Sequence, residues 1–172
     1  MKVSDLTQEE YDPYYSRYIN VVPVASELRL QFEVGMLEVI QFFKFAPEDK
    51  LDYRYAQGKW TIKEILQHLI DTERIFMYRI FRIARNDKTA LASFDQNIYN
   101  LPSKASSKSL SLLIDEYHIT RKASISLLSS LSDEDLGHIG VSSMVPMSAR
   151  AAAFTIVGHE IWHMNIIKEK YL

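Results

Sequence analysis

From Ser148 to about Glu169 the chain is apolar nearly all the way round a helix, with Ala151, Phe154, Ile156, Val157, Ile161, Trp162 and Ile166 spread over its faces. An amphipathic helix can lie on a surface, but one without a polar side has to be enclosed by other elements. Ser148 offers an N-cap just after Pro146. The segment therefore demands a fold that can surround a helix.

Three further helical patterns can do so. The first follows Pro23 and runs from about Val24 to Phe45, with Leu28, Phe32, Val39 and Phe43 at helical spacing and Pro47 closing it. Gly35 inside it reads as a close helix contact. The second opens on Trp60-Thr61-Ile62-Lys63-Glu64, where Thr61 and Glu64 form a capping box. Ile62, Leu66, Leu69, Phe76 and Ile80 keep its face apolar to about Arg85. The third spans about Ser109 to Leu131, with Leu110, Leu113, Tyr117, Leu127 and Leu131 turned inward. No stretch shows period-2 alternation, so no sheet is expected. The reading is an all-α four-helix bundle forming one domain over 1–172, with a connection at about Asn86–Ser107 long enough to carry a crossover.

Composition narrows the chemistry. A net charge of -2 gives no electrostatic reason to expect nucleic acid or an anionic membrane as partner. The polar, aromatic start does not read as a signal peptide, and every longer apolar run is interrupted by charge. A cytoplasmic protein is the expectation. With no cysteine, any thiol nucleophile must be borrowed, and metal ligands must be His or carboxylate.

His159-Glu160-Ile161-Trp162-His163 is an H-E-x-x-H, the zinc-peptidase pattern. Helical spacing puts both imidazoles on one face. A metzincin would continue to a third His beyond a glycine, but Ile166 and Glu169 stand at those places. With no substrate-pairing strand expected either, the peptidase reading loses. The third ligand must come from upstream, and His68, beside the apolar stripe of the second helix, is the better candidate. His138, in a Gly-flanked turn, ranks below it; His118 reads as a surface residue. Among supporting groups, Thr72 lies one turn after His68 on the same row. Glu160 projects about 100° from His159 and reads as a contact elsewhere. Glu73 is a carboxylate on an apolar face and needs a partner, such as Arg150. Asp95, with Asn97 in the long connection, is either a site-lining residue or a helix cap. Tyr11, Tyr14, Tyr15 and Tyr18 read as aromatic packing, and the terminal "KEKYL" as a solvated helix end.

"GKWTIKEILQHLIDTERI" at 58–75, "FDQNIY" at 94–99 and "GHEIWHMNIIKEKYL" at 158–172 together resemble the DinB/YfiT-like superfamily of four-helix metalloproteins. The resemblance extends from about the first helix to the last residue. It implies one divalent metal per chain, Zn or Ni, held by His68, His159 and His163. It also implies a homodimer in many members, a small-molecule substrate, and either low-molecular-weight thiol transfer (bacillithiol or mycothiol) or metal-dependent hydrolysis. Family members often carry a further His where this chain has Trp162, a position outside the ligand set. Thr72, Glu160 and Asp95 are the candidates for catalytic support. The leading expectation is a thiol transferase acting on small electrophiles. The alternatives are a hydrolase of a small amide or ester and a non-catalytic dimeric metal-binding protein.

Overall fold

The computed structural model describes residues 1–172. Four long helices form it: α1 (Leu28–Lys44), α2 (Ile62–Ala84), α3 (Leu110–Ser129) and α4 (Ala149–Lys170). Local chemistry sets their starts. Thr61 and Glu64 cap α2 reciprocally, the Ser109 hydroxyl accepts from the Leu112 amide, and the Ser148 hydroxyl accepts from the Ala151 amide. α1 begins a turn later than the sequence pattern placed it. Pro23 sits in a turn closed by the Ser26 amide (2.8 Å to Pro23 O), and Glu27 is the cap, accepting from the Leu30 amide at 2.9 Å. The fixed φ of proline suits that turn as well as a first helical position.

In the bundle, α2 packs against α3 and α4, and α1 packs against the same two helices. The sequence neighbours α1/α2 and α3/α4 thus face each other across diagonals. Gln67 meets Glu116 and Glu73 meets Arg121, pairs that advance together, so α2 and α3 run parallel. Trp60 O accepts from the Tyr171 hydroxyl, whereas Ala84 O meets His138 Nδ1 ahead of α4, so α2 and α4 are antiparallel. A parallel neighbour cannot be reached by a short turn, because the chain must return along a helix roughly 35 Å long. The connection from 85 to 109 does carry the expected crossover, and it includes a short helix, Gln96–Ser103.

The expectation of no sheet fails at one place. β1 (Ile139–Ser142) and β2 (Val145–Ser148) form an antiparallel hairpin with Ile139 opposite Ser148 and Ser142 opposite Val145. Strands of four residues are too short to show alternation. The turn residues Ser143 and Met144 both take positive φ (54° and 69°), a tight-turn geometry usually signalled by Asn or Gly. Pro146 accordingly lies in a strand rather than leading the helix.

Two apolar clusters fill the bundle, one around Phe32, Phe76, Ile80 and Phe154, the other around Val39, Phe43, Leu66, Leu69 and Ile167. A buried polar layer separates them. Arg121 Nε and Nη2 donate to the Glu73 carboxylate at 2.8 and 2.9 Å, and Nη2 also reaches Glu160 Oε1 at 2.5 Å. Tyr117 adds its hydroxyl to Glu160 at 2.7 Å. Gly35 faces this layer: a Cβ there would stand 3.8 Å from Arg121 Nη1 and 3.9 Å from Glu160 Oε2, in ordinary contact. No helix is long and apolar enough to cross a membrane.

Candidate metal centre

α2 and α4 present His68, His159 and His163 to one point on their shared seam. His159 Nε2 lies 3.0 Å from His68 Nε2 and 3.0 Å from His163 Nε2. The three donor atoms all fall within 4.8 Å of one another. Burial pushes His68 down to about 4 and His163 down to about 3. Burial, then the nearby charges of His163, His68 and Arg17, hold His159 well below the ordinary imidazole range. At neutral pH all three rings are therefore neutral, and each can turn an Nε2 lone pair toward a shared ion when its proton sits on Nδ1.

Neutral imidazoles this close either share N–H···N hydrogen bonds or turn their lone pairs to a common cation. Nitrogen donors about 2.0–2.1 Å from a tetrahedral ion stand roughly 3.3 Å apart, close to the spacing found. The residues present thus fit a divalent ion of the first transition row, for which imidazole is a suitable donor. Thr72 Oγ1 sits 3.3 Å from His68 Nδ1 and fixes that ring from behind, the kind of outer contact that orients a ligand. The Tyr18 ring meets His159 edge-on at 5.1 Å, and the Trp162 ring meets His163 edge-on at 4.8 Å. Trp162 is thus part of the wall behind the last imidazole.

Gly158 makes this wall possible. A Cβ on it would come within 1.9 Å of Tyr18 O, so only glycine lets the helical turn Ser16–Ile19 lie on α4 and bring Tyr18 against His159. Of the tyrosines expected to pack, Tyr11 and Tyr15 are buried and Tyr18 lies on His159, while Tyr14 stays half exposed; Tyr14, Tyr15 and Tyr18 line a cavity of about 310 Å³. Its floor is the α2 row His68, Thr72, Phe76 and Arg79 with Thr155 and His159 of α4; Ser93, Phe94, Gln96 and Ser143 close the far side. His68 and His159 therefore face this open space, and His163 borders a separate hollow beside Trp162.

The other candidates divide. Thr72 belongs to the site. Glu160 points into the bundle, where Tyr117 and Arg121 hold it; burial raises its carboxyl to about 7 despite the Arg121 charge, because Glu73 competes for that guanidinium. Asp95 is the cap of Gln96–Ser103, accepting from the Asn97 amide at 2.8 Å, and stays exposed. Asn97 lines a separate hollow with Trp162 and His163. His118 is exposed on α3, and His138 is tied to Ala84 O at 3.1 Å, away from the cluster. Glu73 has a partner, as required, but it is Arg121; Arg150 instead grips Glu10 at 2.5 and 2.7 Å. Arg79 and Gly158 went unremarked in the sequence. The signals were there: a cation three residues after Phe76 on an apolar face, and a lone glycine in an alanine-rich helix.

Residues 31–167 match the family model described as the DinB superfamily. No curated protein matches the chain by sequence. Among solved structures, the fold is similar to YfiT from Bacillus subtilis, described as a probable metal-dependent hydrolase with an unusual four-helix bundle topology. The TM-score is 0.74 at 16% identity, covering 95% of this chain and 90% of that one. It is also similar to a mycothiol-dependent maleylpyruvate isomerase, with a TM-score of 0.66 at 10% identity, covering 96% of this chain and 62% of that one.

Proposed function

The chain belongs to the DinB superfamily, and on that premise we propose that it is a divalent-metal enzyme that transfers a low-molecular-weight thiol to small electrophiles, with His68, His159 and His163 as the metal ligands. One observation carries this reading: an all-imidazole donor set, of which His68 and His159 line a cavity of about 310 Å³ with a single carboxylate, Asp12, in its wall. Glu160 is engaged by Tyr117 and Arg121, and Asp12, at the cavity edge, accepts from the Tyr14 amide. Zinc or nickel suits three neutral nitrogen donors. The chemistry such an ion supplies when bound is Lewis acidity, which lowers the pKa of a thiol entering from the cavity.

The chain's own residues do the rest. Thr72 holds the His68 ring through Nδ1, while Tyr18 and Trp162 fix His159 and His163 and keep water from their backs. Phe76 and Phe94 offer apolar walls to the electrophile. Transfer needs only that the sulfur attack the electrophilic carbon, the leaving group depart with its electron pair and the thiol proton pass to solvent. The sulfur must come with the cosubstrate, since the chain has no cysteine.

The description of YfiT favours a second reading, hydrolysis of a small ester or amide. For an amide, that reading needs a group to protonate the departing amine, and the cavity offers hydroxyls such as Thr72 and Tyr18 and, at its edge, Asp12. The two readings separate experimentally. In cobalt-substituted protein, a thiol that reaches the three histidines gives an intense sulfur charge-transfer band, and turnover with a bimane or chlorodinitrobenzene should require all three. Glutathione, bacillithiol and mycothiol should each be tried. Thiols that only inhibit, together with ester or amide hydrolysis in their absence, would transfer the proposal to the hydrolase.

A further inference from the structure

Arg79 is 2% exposed, yet no carboxylate pairs with it. Nη2 donates to Ala92 O at 3.0 Å and to Ser143 Oγ at 2.9 Å, while the buried Nε has no partner. Most buried guanidinium groups sit against an acid, as Arg121 does in this bundle. A buried cation held only by neutral acceptors carries uncompensated desolvation, and burial accordingly lowers its pKa from the ordinary arginine value. The group is not in a closed core. It lines the same cavity as His68 and His159, at the opposite end of the α2 row.

From this geometry we infer that Arg79 is a recognition site for a carboxylate on the small molecule that occupies the cavity, with the reacting end of that molecule at the histidines. The inference rests on the metal-enzyme reading for the reacting end only. Phe76 and Phe94 lie beside the guanidinium, 4.9 and 5.6 Å from its carbon to their ring centroids. The planar guanidinium fork matches the two oxygens of a carboxylate, and the flanking rings favour an organic acid with an apolar body. Asp12 is the one acid at the cavity wall; its Oδ1 caps the following turn, and it forms no ion pair with Arg79. His68 and Arg79 are separated by about 16 Å along the helix axis, so a molecule that meets both ends of the row has to be extended. A chain of about six carbons, with sulfur or an electrophilic carbon at one end and a carboxylate at the other, is a first probe of that row.

The test uses the metal-loaded full chain and reads Arg79 directly. In 15N-labelled protein, the Arg79 Nε–H resonance, assigned by its loss in Arg79→Met, should shift saturably with hexanoate and stay still with hexanol. 6-Mercaptohexanoate should bind at least about tenfold more tightly than 6-mercaptohexanol by calorimetry. Arg79→Lys should keep part of that preference and Arg79→Met none; if neither variant folds, the wild-type titrations decide. Should hexanoate leave Nε unmoved, or should the two mercaptans bind equally while both give the cobalt–sulfur band, the carboxylate site is wrong and the thiol reading stands. A hexanoate response without any sulfur band leaves the carboxylate site standing and removes the thiol reading. A shift with inorganic phosphate but not with hexanoate overturns the assignment of the anion.

Discussion

Gly158 lies so close under Tyr18 that a single methyl carbon would stand 1.9 Å from the Tyr18 carbonyl oxygen. Intrinsic preference alone would make Gly158→Ala stabilising by about 1 kcal/mol, because glycine is a poor helix former. The overlap is with backbone, which cannot swing aside as a side chain would, so the turn Ser16–Ile19 must lift from α4. A net loss of roughly 1–3 kcal/mol should follow. Thermal unfolding decides: an unchanged or raised Tm would show that the contact is not as tight as described.

Metal content tests the ligand set. Purified protein should carry about one divalent ion per chain, and His68→Ala, His159→Ala and His163→Ala should each remove most of it. His118→Ala and His138→Ala should retain it, since neither ring approaches the cluster. Elemental analysis of the five variants checks this, and dependence on His138 rather than His68 would refute the centre.

No peptidase activity should accompany the H-E-x-x-H pattern, because Glu160 faces Arg121 and Tyr117. Casein or quenched-peptide cleavage that disappears in Glu160→Gln would prove otherwise. The same contacts predict a structural penalty. Arg121→Met strands Glu73 and Glu160 without a cation, and breaking such a buried pair costs roughly 3–5 kcal/mol. Denaturant titration should show this loss, with part of it recovered when Glu73→Gln is added.

Acid should loosen the N-terminal segment first. Burial raises the Glu10 carboxyl, but hydrogen bonds from Arg150, Ser148 and the Thr7 amide outweigh it, leaving its pKa below the ordinary 4.5. A carboxyl depressed in the folded state stabilises it fully above the unfolded value, and that contribution is lost as the pH falls from about 4.5 through the folded pKa. Tyrosine fluorescence should therefore change below about pH 4.5, and Glu10→Gln should abolish this dependence. An identical acid profile for the variant would exclude Glu10 as the cause.

What could be read in the sequence was local. The caps Thr61, Ser109 and Ser148 announce three helix starts, and the spacing of His159 and His163 announces a shared face. His68 was within reach because its neighbours form a stripe that fixes which way the second helix turns. Pairings across the bundle were not: nothing in the spacing around Glu73 says that Arg121, on another helix, will reach it before Arg150 does. The β1–β2 hairpin was hidden because Ser143 and Met144 hold positive φ without the glycine or asparagine that usually marks such a turn. Arg79 was missed for the opposite reason: its position was visible, but its lack of an acid appears only once every neighbour is placed.

His68 and His159 are 91 residues apart in the chain, on helices that meet only after the crossover and the hairpin are in place. During synthesis the first imidazole leaves the ribosome long before the other two, and by itself it is a weak and unselective donor. Strong coordination has to wait for α4 to dock. On the proposed ligand set, metal acquisition is a late event that reports a finished bundle, and a half-made or misfolded chain has little with which to compete for the ion.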